Sequence, residues 1–118
     1  MELSRGDVVL VAFGGRDGAS SASRPCVVVQ NDVGNEHAST TVVVPLTTAF
    51  GDERYPHEVL VRAADAGLED HAVALCSQPQ TVDVERDVVE ALDRLPDDVL
   101  LDVDRALEYS LDLGGPLE

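Results

Sequence analysis

Five short runs of β-branched and apolar residues, each closed by a polar or glycine-rich break, precede a single amphipathic stretch at the end of the chain. That alternation constrains the fold more than any other feature. Val8–Phe13, Pro25–Gln30, Thr40–Leu46, Glu58–Val61 and Ala72–Cys76 are each too short for a helix and rich in the side chains that favour a pleated surface. Val84–Leu92 reads as a short sixth strand, and Gln78–Thr81 reads as a break with one helical turn. Gly14–Ser23 and Thr47–Pro56 are the long loops; Asn31–Ser39 and Ala63–Asp70 are polar connections. Beyond Leu95, Pro96 suits a first helical position, and Asp97 and Asp98 lie where a helix dipole favours negative charge. Val99, Leu100, Val103, Leu107 and Leu111 then recur at helical spacing, and Gly114-Gly115-Pro116 is the expected stop. So many strands in 118 residues predict one mainly β domain: a small antiparallel barrel with a C-terminal helix against it.

Charge narrows the functional classes. The chain carries 23 acidic residues against eight basic ones, all arginine, for a formal net charge of −15. On charge alone such a domain repels nucleic acid at ordinary salt. A surface that is acidic and free of lysine also suits very concentrated salt, where the Debye length is about 3 Å or less. The expectation is therefore a protein from an extreme halophile, in which net charge no longer identifies the partner. No apolar run approaches the roughly 18 residues of a membrane span. The opening Met1-Glu2-Leu3-Ser4-Arg5-Gly6-Asp7 lacks the basic-then-apolar order of a secretory leader, so the cytoplasm is the expected compartment.

Most candidate chemistry reduces to ordinary structure. His37, His57 and His71 have no metal-ligand spacing with one another or with cysteine, and no metal or cofactor is expected. Cys26 and Cys76 sit inside apolar strands, the setting of inert buried thiols. Carboxylate pairs such as Asp97-Asp98 are too common here to carry information. Arg54, Arg62, Arg86, Arg94 and Arg105 have acidic neighbours and read as surface ion-pair partners. Arg24 differs: it stands between a serine-rich loop and a buried strand with no acidic residue close by. An arginine at a strand mouth suits a phosphate, because its planar fork donates to two oxygens; an ordinary surface arginine is the competing reading. Thr47-Thr48 opens the second loop, where a hydroxyl either meets a reacting oxygen or serves the turn.

Several stretches together resemble the MazF/PemK toxin family. Arg5-Gly6-Asp7-Val8-Val9-Leu10-Val11 is similar to its opening strand, and Arg24-Pro25-Cys26-Val27-Val28-Val29-Gln30-Asn31 to its Arg-Pro-apolar strand and following Asn. Val44-Pro45-Leu46-Thr47-Thr48, Tyr55-Pro56-His57-Glu58-Val59 and Thr81-Val82-Asp83 follow in the family's order and spacing, so the resemblance spans residues 5 to 113. It implies an SH3-like barrel, a homodimer and a sequence-specific endoribonuclease that needs no metal. In that chemistry the 2′-hydroxyl of single-stranded RNA attacks the adjacent phosphate, leaving a 2′,3′-cyclic phosphate and a 5′-hydroxyl. Arg24 and Thr47 carry over as the catalytic pair. Arg16, Ser20 and Ser21 on the first loop, Asn31 and Asn35 on the connection, Thr48, Phe50 and Tyr55 on the second loop, and Gln78 and Gln80 are the RNA-contact candidates. For Phe50 and Tyr55, stacking on bases competes with core packing. A MazE-like antitoxin is the implied partner, its extended tail lying in the RNA groove.

The chain also departs from the pattern. Gly18-Ala19-Ser20-Ser21 lacks the acid and amide usual before Arg24; Ser77-Gln78 replaces an Asp-Gln; and Gln80 stands where a basic residue is common. A catalytically degenerate module that binds antitoxin or RNA is therefore the alternative. A gyrase-binding toxin of the CcdB kind is a weaker one, since that family ends in Trp-Gly-Ile and this chain has no Trp.

Overall fold

The computed structural model describes residues 1–13 and 23–114. Its strands are β1 (Asp7–Ala12), β2 (Ser23–Val28), β3 (Thr40–Thr47), β4 (Glu58–Val61), β5 (Ala72–Leu75), β6 (Gln80–Asp83) and β7 (Val88–Arg94). The helices are α1 (Asp32–His37), α2 (Ala63–Ala66), α3 (Val84–Asp87) and α4 (Asp97–Leu111). All pairings are antiparallel, in the order β4-β5-β3-β2-β1-β7, with β6 also paired to β3. The expected mainly β architecture with a terminal helix is thus present, and among the described residues the order ends at β4 and β7 without a ladder joining them.

β3 organises the sheet. Its first half, Thr40–Val43, pairs with β6; its end, Leu46 and Thr47, pairs with β5; and Val43–Pro45 pairs with β2 on its other edge. Alternate side chains therefore feed two cores. Val8, Val27, Val44, Leu46, Val59 and Val61 form one cluster, which Val103 and Ala106 of α4 close. Val9, Val11, Cys26, Val28, Val43 and Val82 form the other, with Val88 and Leu3. Most of this core is valine and alanine, small side chains that suit a curled sheet, joined by Leu3, Leu46, Leu95 and the two cysteines. Two register shifts between β1 and β7 add local twist.

Four expectations change. Gln80–Asp83 is a strand, not a break: only Val82 is buried, and pairing with β3 rather than its own apolar content defines it. The expected sixth strand begins later, because Val84–Asp87 forms one helical turn capped by Asp83, whose carboxylate accepts the Arg86 N–H at 2.9 Å. The two polar connections contain α1 and α2. Finally, α4 starts at Asp97, with Pro96 as its cap rather than its first residue, and ends at Leu111, closed by Asp112 in the left-handed conformation with φ 58°, before the glycines.

The N-terminal segment is tied down at Gly6, whose φ is +97° and whose missing Cβ would lie 3.0 Å from Leu100 Cδ2. Gly6 donates to Val28 O at 2.8 Å and accepts from Leu95 N. Beside it, Arg5 donates to Val29 O at 3.0 Å and to Asp104 of α4 at 2.6 Å.

Candidate active site

β2 and β3 carry the two residues singled out as a catalytic pair. Cys26 pairs with Pro45. The β2–β3 ladder ends there: Arg24, two residues earlier on β2, pairs with Val11 of β1, and Thr47, two residues later on β3, pairs with Val73 of β5. Both also share the sheet face of Cys26 and Pro45, because side chains alternate. Arg24 is exposed and forms no ion pair among the described residues. Its positive charge partly opposes the burial that pushes the Cys26 thiol up to about 12. Thr47 is half-buried, paired with Val73 of β5, and its Oγ1 accepts the Ala49 N–H at 3.1 Å. A hydroxyl that accepts there keeps its own hydrogen for another oxygen. A cation on β2 and a hydroxyl at the end of β3 thus stand on neighbouring strands, and both are groups that donate to a phosphate.

Thr47 also lines a groove of about 300 Å³ together with Phe50, Asp52, Glu53, Tyr55, Glu58 and Val73. Phe50 and Tyr55 are 39% and 57% exposed, so they are not core residues. The Arg54 guanidinium lies 5.1 Å over the Phe50 ring and donates to the carbonyls of Gly51 and Glu53. It therefore belongs to the loop and, among the described residues, is not the ion-pair partner expected of it. Tyr55 stacks on His57 at 5.8 Å and 7°. Glu58 holds that arrangement from below, accepting the Tyr55 N–H at 3.3 Å.

The other candidates fall into three sets. Thr48 is exposed beside Thr47. Gln78 and Gln80 are exposed at the turn after β5 and the start of β6, with Gln80 across from Val43, four residues or roughly 13 Å along β3 from Thr47. Asn31 and Asn35 lie at the opposite end of β3 and serve the fold. Asn31 caps α1 by accepting the Gly34 N–H at 2.8 Å. Asn35 donates to Gln30 O and Asp32, and accepts from Gln30 and from the buried Thr41 hydroxyl at 2.7 Å. Arg16, Ser20 and Ser21 lie outside the described residues.

Sequence reading passed over His57 and Glu58 as site residues. The alternation Glu58-Val59-Leu60-Val61, with Val59 and Val61 buried, was the available signal, since it turns Glu58 outward. The two thiols are as inert as expected: Cys26 and Cys76 are fully buried and both pushed up to about 12 by burial. Among the described residues no cluster of His, Cys, Asp and Glu has the geometry to hold a metal ion.

Residues 4–111 match the family of PemK-like, MazF-like toxins of type II toxin–antitoxin systems. The chain belongs to this family. A related protein, Endoribonuclease EndoA of Bacillus subtilis (strain 168), is 32% identical over 114 residues, 96% of this chain and 97% of its own. Among solved structures, the MazE–MazF complex of Deinococcus radiodurans (form II) aligns with a TM-score of 0.73 at 26% identity, covering 94% of this chain and 96% of that one. A mycobacterial endoribonuclease solved with its cognate antitoxin aligns with a TM-score of 0.79 at 22% identity over 97% and 99% of the two chains, a likeness of fold. In this MazF-like fold Arg24 and Thr47 stand on β2 and β3, neighbouring strands of the sheet. No described helix is long and apolar enough to cross a membrane.

Proposed function

We propose that this chain is a sequence-specific endoribonuclease, the toxin of a type II toxin–antitoxin system, and that Arg24 and Thr47 carry its chemistry. The observation that supports this most is the pairing of β2 with β3, which carries Arg24, without an ion pair among the described residues, and the Thr47 hydroxyl on neighbouring strands just beyond the end of their shared ladder. Kinship with a toxin family, and 32% identity to a named endoribonuclease, agree with it. In the reaction, the RNA 2′-oxygen forms a bond to the adjacent phosphorus and the bond to the 5′-oxygen breaks. The 2′-hydroxyl proton is lost to water, and the leaving 5′-oxygen gains one. Negative charge builds on the non-bridging oxygens as the phosphorus crowds to five ligands. Arg24 meets that charge as a permanent cation, and Thr47 donates to a second oxygen. Positioned donors of this kind typically supply about 2–4 kcal/mol each. The RNA path runs past Thr48, Phe50 and Tyr55 and along Gln78 and Gln80, with Arg16, Ser20 and Ser21 on the first loop.

The active unit is a homodimer of single-domain chains spanning 1–118. The apolar Leu60 and Tyr109, both exposed on the single chain and lining one groove beside α4, support such a surface. A MazE-like antitoxin would bind by laying an extended segment along the RNA groove. With a net charge of −15, the toxin works in the salt-rich cytoplasm of a halophile, where added ions screen its carboxylates from RNA. The test is primer extension on a long mixed RNA at molar KCl, with end-group analysis. Stops at one recurring sequence with cyclic-phosphate and 5′-hydroxyl ends support the reading. Intact RNA from protein shown to be folded at that salt favours the non-cleaving antitoxin- or RNA-binding module.

A further inference from the structure

The groove beside Thr47 has a chemistry different from that of the phosphate donors. Two aromatic rings line it, Phe50 and Tyr55, the latter held near-parallel to His57. Such walls hold a planar ring by stacking. Apart from the Thr47 and Tyr55 hydroxyls, its polar side chains are the carboxylates of Asp52, Glu53 and Glu58, which repel a phosphate placed among them. The neighbouring cation, Arg54, is engaged by Phe50 and by the Gly51 and Glu53 carbonyls. The groove therefore selects a ring that presents hydrogen-bond donors.

Glu58 determines which ring. A carboxylate is acceptor-only, with two oxygens side by side. Its side chain is 19% exposed; Oε1 accepts the Tyr55 N–H at 3.3 Å and Oε2 lies 4.0 Å from His57 Nε2, and each oxygen keeps a further lone pair for a ligand. Guanine alone among the four bases offers two adjacent donors, N1–H and the 2-amino group, on one edge. Adenine and cytosine set an acceptor nitrogen beside their amino group, and uracil flanks its N3–H with two carbonyls. We propose that this groove is a guanine subsite of the RNA path, in which Glu58 accepts from N1–H and the 2-amino group while Phe50 and Tyr55 stack the ring. The inference rests on the nuclease reading and adds the base that reading leaves open.

The test replaces each guanine of the mapped cleavage sequence by inosine, which lacks only the 2-amino group and requires no change in the protein. At one position inosine should lower kcat/KM by about tenfold or more. In Glu58→Gln, whose amide keeps a single acceptor, the guanine-to-inosine ratio should fall below about threefold. In Tyr55→Leu both substrates should weaken together with the ratio unchanged, as loss of stacking requires. Cleavage at which no guanine is sensitive to inosine, or a ratio that Glu58→Gln leaves unchanged, overturns the subsite. Anisotropy with labelled guanine- and inosine-containing single-stranded RNA is measured in parallel. A guanine preference in binding without cleavage overturns the nuclease reading alone; no preference in either assay overturns the subsite.

Discussion

Replacing Thr47 by valine removes one oxygen and keeps the branched shape. In the fold that oxygen accepts a single hydrogen bond, from Ala49 N at 3.1 Å, at an exposed loop where water takes its place. The cost to stability is therefore about 0.5–1 kcal/mol. In the proposed reaction the same oxygen carries the hydrogen donated to the phosphate. Losing one positioned donor of this kind costs about 2.7–4 kcal/mol, or roughly 10²–10³ in rate. Because the donor acts where charge builds, kcat should fall while RNA affinity stays within about threefold. Single-turnover cleavage at saturating protein, paired with thermal unfolding in the same KCl, separates the two effects. Thr47→Val protein that is folded and cleaves within about threefold of the wild-type rate refutes the role given to Thr47.

The remaining predictions concern salt, thiols and the helix. Raising KCl from about 0.1 M to about 2 M contracts the Debye length from ~10 Å to ~3 Å or less, so self-repulsion among 23 acidic residues weakens and Tm rises; a flat Tm over that range contradicts the charge reading. Cys26 and Cys76 resist iodoacetamide at about pH 8 in native protein and react once unfolded, because burial lifts both thiols from 9.0 to about 12. The folded state then holds protons that the unfolded state releases, so these thiols lower stability as pH climbs from about 9 towards 12; rapid native labelling contradicts this. Val103→Ala deletes two methyl groups from the fully buried face of α4 and costs about 2–3 kcal/mol in denaturant unfolding; a loss under ~1 kcal/mol means the helix does not close the core.

Where side chains alone decide structure, the sequence announced it. Val8–Val11, Val27–Val28 and Val42–Val44 are strands because nothing else buries such runs, and α4 follows from its stripe through Val103 and Leu107. Elements defined by their partners stayed hidden. β6 has one buried residue and exists because β3 offers it a free edge. α1 buries nothing and rests on its Asn31 cap and the Asn35 network, which leave no apolar period to read. The same division holds at the site. Arg24 and Thr47 stood out as a cation without acidic neighbours and a hydroxyl at a strand end, and a family's order of motifs joined them. Tyr55, His57 and Glu58 are neighbours in sequence, but their stacking and the direction of the Glu58 carboxylate come from the loop's path between β3 and β4.

Arg24 is the most direct test of the whole account, since the guanidinium is the only permanent charge assigned to the scissile phosphate. Single-turnover cleavage of the mapped RNA by Arg24→Ala, beside wild type at the same KCl and with both proteins shown folded, should show a loss of roughly 10²-fold or more. Equal cleavage by the two proteins would contradict it.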